Sequence, residues 1–340
     1  MTRETVVLVT GAGGEMGHGL VEMLGERGTK VVGLDLRTPD AAVASKCRAV
    51  FAGDVSKKEA LAPVFEAYDV EAVFHLAALL STSGERNPQL AHDVNVGGTM
   101  NLLNLAVDHA KARGKAVKFL FPSTIAIYGL PDLETKRRFE RIKEHQFIQP
   151  TTMYGCNKLY CENLGRYFAK HYRRLDGAEA GRALVDFRSI RFPGLISAFT
   201  VPSGGTSDYA PEMIHAAAQK KPYVCFVRED RRIPFMAMPD GVRALLKLAE
   251  APADRLRSHV YNIGAFAPTA GEIADRVRAA FPQADISFSP DLRREAIVDS
   301  WPADVDDAAA RYDFGLAPEY DFERCFAEYL LPNIKQRYAG

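Results

Sequence analysis

VVLVTGAGGEMG, residues 6–17, is a run of apolar and β-branched residues that breaks into a glycine-rich turn and resumes as a helix. Each glycine in such a strand, turn and helix has a task. Gly11 permits the tight turn, Gly14 lets the backbone approach a pyrophosphate, and Gly17 allows helix and strand to pack closely. Glu15 and Met16 sit at the helix start, where N–H groups and the helix dipole attract phosphate. Asp35 closes the next strand 18 residues past Gly17, where an acid meets adenosine ribose hydroxyls. A carboxylate there repels a 2'-phosphate, which predicts NAD over NADP; Arg37 tempers that preference without reversing it.

Outward from this stretch, β-branched runs at 30–34, 49–52, 72–76 and 117–121 alternate with helical spacing at 16–24 and 98–112. That alternation is the mark of βαβ units. It predicts an α/β chain, a Rossmann-type doubly wound parallel sheet with a smaller C-terminal substrate domain. Beyond Arg191 the texture changes, because Pro202, Pro211, Pro222, Pro234 and Pro239 punctuate segments too short for βα repeats. The expected division is 1–190 with 235–264 returning to it, and 191–234 with 265–340 as the second domain. Thr269 and Glu272 read as a capping box opening a helix to residue 280. Two stretches interrupt the pattern. Residues 132–145, DLETKRRFERIKEH, read as a solvated helical insertion, or alternatively as a lid or partner surface; residues 175–182 read as a surface loop.

Composition removes whole classes. At 340 residues, 47 % hydrophobic and 25 % charged, the chain is ordinary globular material. Its 43 basic and 43 acidic residues cancel, so no net field recruits nucleic acid or an anionic membrane. Five scattered cysteines without a Cys-x-x-Cys pair predict reduced thiols and a cytoplasmic protein. No apolar run approaches the roughly 20 residues of a membrane span. The eight histidines show no metal-ligand spacing and no Gly-x-Ser-x-Gly elbow appears, so neither a metal nor hydrolase chemistry is expected.

The chemistry is expected from Thr124, Tyr154 and Lys158. Tyr154 and Lys158 stand four apart, on one face of a helix. An ammonium beside a phenol lowers the phenol pKa, which would make Tyr154 a general base near neutrality. Among the 13 tyrosines this is the one with lysine four residues on. Thr124 ends a strand at the edge where α/β proteins bind ligands; its alternative is a capping hydroxyl. Asp54 and Val55, after the third strand, are placed to meet the adenine, with a turn aspartate as the alternative.

Taken in order, GAGGEMG, Asp35, GDV at 53–55, HLAA at 75–78, Asn95, PST at 122–124, YGCNK at 154–158 and RFPG at 191–194 resemble the extended short-chain dehydrogenase/reductase superfamily. The resemblance implies that Leu76, Ala77, Ala78 and Asn95 line the cofactor cleft and that Phe192 and Pro193 lie near the nicotinamide. His75 reads as a packed strand histidine. Within that superfamily, LLS at 79–81, PSTIAIYG at 122–129, PTTMYG at 150–155, SGGTSDYA at 203–210 and DSWP at 299–302 resemble the short-chain L-threonine 3-dehydrogenases. That likeness implies Ser81, Thr124, Tyr154, Thr206, Ser207, Asp208 and Trp301 around the substrate. Asp208 either faces a substrate ammonium or caps the helix it begins; Trp301 is either a lid over a small pocket or core.

The expectation is therefore an NAD-dependent oxidation of a small amino-acid alcohol. A nucleotide-sugar epimerase or dehydratase on the same fold is its rival, and a non-catalytic dinucleotide sensor a lesser one. A homodimer pairing two helices per subunit, here 98–112 and 154–173, is implied by the resemblance, and the apolar residues around much of the first (Met100, Leu102, Leu103, Leu105, Ala106, Val107) exceed what one core-facing stripe requires.

Overall fold

A computed structural model describes residues 3–176, 182–202 and 205–339. Seven strands form the main sheet: β1 (Thr5–Thr10), β2 (Val31–Asp35), β3 (Ala49–Ala52), β4 (Asp69–His75), β5 (Val117–Thr124), β6 (Val185–Phe192) and β10 (Val260–Asn262). Their order is β10-β6-β5-β4-β1-β2-β3, and the pairs from β3 across to β5 run parallel. The order reverses at β1, where β2 lies on one side and β4 on the other. In open α/β sheets ligands bind at such a switch point, outside the carboxyl ends of the strands. The strands expected from sequence appear within a few residues of their predicted bounds. β6 was not foreseen, since the alternation of Val185-Asp186-Phe187-Arg188 breaks at Ser189–Ile190.

The chain divides into two compact units: Met1–Ser123, Cys156–Ile190 and Leu245–Val260 in the first, and Thr124–Gly155, Arg191–Ala244 and Tyr261–Gly340 in the second. Residues 124–155 group with the second unit, where the sequence reading kept them in the first.

In the first unit the helix Gly98–Arg113 buries Leu102, Leu103, Leu105, Ala106 and Val107 together. They join Val6, Leu8, Val73, Phe119 and Phe187 in one cluster. Met100 is partly buried against the same cluster, so most of this apolar surplus is used inside the unit.

His75 is 1 % exposed at the end of β4. Thr99 donates its hydroxyl to Asn95 O at 2.6 Å, so its oxygen accepts from His75 Nε2 at 3.1 Å, and Nδ1 accepts from Thr10 Oγ1 at 2.8 Å. Burial and the Lys158 charge push the imidazole pKa down to about 3. A depressed folded-state pKa makes this stability complete above about 6.5 and lost as pH falls toward 3. Thermal or denaturant melts should show His75 costing about 2 to 3 kcal/mol between pH 7 and pH 4.5, and His75→Gln should flatten that part of the acid limb. Equal acid sensitivity in both proteins would refute the assignment.

In the second unit β7 (Gly194–Ile196) pairs with β9 (Phe235–Ala237), and β8 (Tyr223–Cys225) with β11 (Ile286–Phe288), both parallel. Tyr209 packs edge-on against Phe226 and Phe235 at 6.0 and 5.8 Å. Thr269 and Glu272 make both bonds of the expected capping box at the helix Ala270–Ala280.

The insertion 132–145 corrects the sequence reading most. It holds one short helix, Leu133–Arg138, with Asp132 accepting from Thr135 N at its start. Thr135, Lys136 and Ile142 are buried. Asn262 donates to Ile142 O at 2.9 Å and accepts the Tyr128 hydroxyl at 2.6 Å; the buried Arg191 donates to Tyr128 Oη at 2.9 Å and to Glu144 O at 2.6 Å. These buried and polar contacts anchor the segment in the unit, while most of its charged side chains stay exposed. The 175–182 loop lies mostly outside the described residues.

Candidate active site

In the first unit the cofactor turn is tight at the places that need glycine. Gly11 has φ +70°, and a Cβ on it would stand 2.7 Å from Ala77 N. A Cβ on Gly17 would stand 2.3 Å from Gly11 O and 2.6 Å from Ala12 O. Gly14 precedes the helix Glu15–Glu26 in extended conformation and gives it no side-chain cap, which leaves first-turn N–H groups for an anion. Asp35 accepts from Gly13 N through Oδ2 at 2.9 Å; this orients the carboxylate and leaves Oδ1 for ribose hydroxyls. The backbone approach, the helix start and the acid at the end of β2 fit a dinucleotide with a free ribose.

Of the other expected cofactor residues, some act on this loop indirectly. Leu76 N bonds Thr10 O at 3.0 Å, and Leu76 and Ala77 lie against Gly11. Asn95, 3 % exposed and set in a single π-turn Asp93–Gly97, accepts from Leu79 N at 2.8 Å and donates to Leu79 O at 3.0 Å. It therefore clasps the 76–79 loop as a paired strand would. Asn157 meets Asn95 at 3.4 Å; its place beside Lys158 was the only sequence hint of it. Asp54 accepts from Ser56 N at 2.9 Å, the turn role named as its alternative. Val55 packs beneath Gly98, and Phe192 is buried at the end of β6.

Thr124 and Tyr154 belong to the second unit. Thr124 Oγ1 accepts from Ala126 N at 3.1 Å, so the capping role named as its alternative is real. Tyr154 opens the helix Met153–Lys170, whose start Thr152 Oγ1 caps by accepting from Gly155 N at 3.1 Å. A Cβ on Gly155 would stand 2.1 Å from Ala126 O. The missing side chain at Gly155 thus lets the helix start press against the turn that follows Thr124. Lys158, one helical turn beyond Tyr154, is buried; it donates to Pro122 O at 2.6 Å and stands 4.5 Å over the Phe121 ring.

The electrostatics depart from expectation. Burial pushes the half-buried Tyr154 phenol up, not down. Burial also pushes Lys158 down to about 8, against the nearby Cys161 and Glu162. Desolvation opposes charge on both groups, and it outweighs the four-residue spacing from which a lowered phenol was predicted. Glu162, fully buried, accepts the Ser123 hydroxyl at 2.6 Å.

On the expected substrate side, Ser81 opens the short helix Ser81–Arg86 of the first unit, while the others lie in the second. Thr206 is buried. Asp208 accepts from Gly205 N at 2.6 Å and does not cap the helix Tyr209–Ala218 that follows it, so it braces its own loop. Ser207 lies between them; Ser203 and Gly204 are outside the described residues. Trp301 is 5 % exposed, with its indole N–H buried without a hydrogen-bond acceptor. Arg294, which the sequence reading missed, links this loop to the helix Leu292–Ser300 before Trp301: it donates to Gly205 O at 3.2 Å and lies over the Phe226 ring.

Among the described residues no group of three or more His, Cys, Asp or Glu could hold a metal ion, and no helix is long and apolar enough to cross a membrane.

Residues 7–264 match the family described as NAD dependent epimerase/dehydratase. The L-threonine 3-dehydrogenase, mitochondrial, of Bos taurus is 34 % identical over 324 residues, covering 93 % of this chain and 79 % of that protein. An uncharacterised epimerase/dehydratase of Staphylococcus haemolyticus is 33 % identical over 338 residues, 97 % of this chain and 98 % of that protein. A solved structure of a monomeric L-threonine 3-dehydrogenase from a metagenome matches with a TM-score of 0.85 at 33 % identity, covering 98 % of this chain and all of that one. With a glycine turn built for a dinucleotide and the family matched over most of its length, the chain belongs to the NAD dependent epimerase/dehydratase family of the extended short-chain dehydrogenases/reductases and is an NAD-dependent enzyme.

Proposed function

We propose that the enzyme is an oxidoreductase that oxidises the 3-hydroxyl of L-threonine to 2-amino-3-oxobutanoate. The observation that carries the reading is the press of the Tyr154 helix start against the Thr124 turn, with Lys158 one turn on. Relatives named L-threonine 3-dehydrogenase, spanning nearly the whole chain, support the substrate.

NAD, when bound, would supply the hydride acceptor for C3. Gly11, Gly14 and Gly17 admit its pyrophosphate to the helix start, and Asp35 takes the ribose hydroxyls. Thr124 donates to the substrate oxygen and orients the C3–H bond. Tyr154 as phenolate takes the hydroxyl proton. Because burial favours the protonated phenol, turnover should rise with pH. Thr206, Ser207 and Trp301 are assigned to the amino-acid end of the substrate. Five free cysteines suit a reducing compartment, the cytosol.

The test is nicotinamide absorbance with NAD or NADP against L-threonine, D-threonine, L-allo-threonine, L-serine and short 3-hydroxy acids. Reduction of NAD well ahead of NADP, with L-threonine ahead of the others, is expected. No reduction with any of them, together with calorimetric binding of a nucleotide sugar, would move the assignment to an epimerase or dehydratase.

A further inference from the structure

We propose that the insertion 132–145 is a specificity element: through Lys136 it fixes the backbone of the turn that carries Trp301, and so sets the surface that side chain offers a small substrate. The proposal rests on the assignment of Trp301 to the substrate and deepens it.

The helix Leu292–Ser300 ends at this turn, with Trp301 as its C-cap. The last carbonyls of a helix have no partner within it, and a cation there is favourable. Val298 O accepts the Trp301 backbone N–H at 3.2 Å, and Lys136 adds a charged second donor to the same oxygen: it is 6 % exposed and its Nζ donates to Val298 O at 2.8 Å. The flanks of the insertion continue the clamp. Leu130 N bonds Ser300 O at 2.8 Å, and the Thr151 and Ser300 hydroxyls meet at 3.0 Å. Further on, Ile142 N bonds Asp304 O at 3.1 Å, Asp306 N bonds Ile142 O at 2.9 Å, and Arg141 pairs with Asp304 at 3.0 Å. Residues 298–306 are thus pinned along their length by 130–151.

The same turn is held by two further cations. Arg231, 6 % exposed in its side chain, reaches Asp299 at 2.7 Å and Glu295 at 3.4 Å; Arg228 reaches Glu295 at 2.8 Å and Asp299 at 3.3 Å. Lys136 faces Asp299 and Asp230, yet its burial still pushes it down to about 8. A buried ammonium is a poor choice where only stability matters, because apolar packing serves as well or better. Its value lies in direction, since it selects one carbonyl and one turn geometry. The indole N–H of Trp301 is left as a buried donor, and its position follows that geometry.

Trp301 is the only tryptophan, so its emission reports this turn alone. Lys136→Met is compared with Arg137→Met, which removes an exposed charge from the same segment. For Lys136→Met, red-shifted emission, greater acrylamide quenching and about a tenfold rise in KM for L-threonine are expected, with kcat and the KM for NAD within about twofold. Arg137→Met should match wild type, and Lys136→Arg should recover part of the KM. Unchanged emission, or changed emission with unchanged substrate KM, would overturn the proposal. So would an equal loss in kcat and in NAD affinity. If Lys136→Met does not fold, Thr151→Val, which removes only the Ser300 hydroxyl contact, carries the same comparison. If wild type does not oxidise L-threonine, the substrate reading falls, and the emission comparison decides the clamp by itself.

Discussion

Tyr154→Phe is expected to lower kcat by about 10³-fold while leaving NAD affinity unchanged, because it deletes the proton acceptor and keeps the ring. The structure sharpens this expectation. The phenol is half-buried and its pKa is raised by desolvation, so ionisation is demanding and the wild-type rate should climb with pH until the phenol ionises in the loaded enzyme. The residual rate of the Phe variant should lack that climb. Stopped-flow absorbance for the chemical step and NAD titration by fluorescence check both halves. A variant that keeps more than a tenth of the rate with the same pH profile would remove Tyr154 from the role of base.

Gly17→Ala is expected to have the largest effect on the fold. The added Cβ would meet two backbone oxygens, Gly11 O at 2.3 Å and Ala12 O at 2.6 Å. Backbone cannot step aside as a flexible side chain can, so the helix Glu15–Glu26 must move off the turn at Gly11 and Ala12. Overpacking of this kind costs about 3 kcal/mol, which lowers Tm by roughly 4 °C in a protein of this size. NAD affinity should fall more than tenfold, since the helix start and the turn are displaced together. Gly25→Ala is the matched control on the same helix, because a Cβ there meets nothing within 4 Å. Melting curves and NAD titrations of the two variants decide it; equal behaviour would show that the close packing at Gly17 does not matter.

The dinucleotide half of the site was legible in the sequence because its determinants are local. A strand, a turn needing glycine at Gly11, a helix start and an acid ending the next strand all follow from short-range spacing. β1, β2 and Asp35 accordingly lie where the sequence put them, and the capping box at Thr269 is equally local. The substrate residues proposed above, Thr206 and Trp301 among them, come only from resemblance, since they carry no spacing of their own. Arg294, which ties the 205–208 loop to the Trp301 helix, left no pattern at all.

What the sequence could not determine is burial. Lys136 sits in a run so charged that solvent was its natural reading, yet Val298 O and the acids 230 and 299 close around it from far along the chain. The apolar surplus of the helix Gly98–Arg113 looked like an interface and is mostly core, because other elements of the first unit enclose it. The four-residue spacing of Tyr154 and Lys158 was certain from sequence, but the direction of their pKa shifts was not. Spacing along one helix sets which groups are neighbours, whereas desolvation depends on everything that packs over them, and that is decided only when distant segments meet in the tertiary structure.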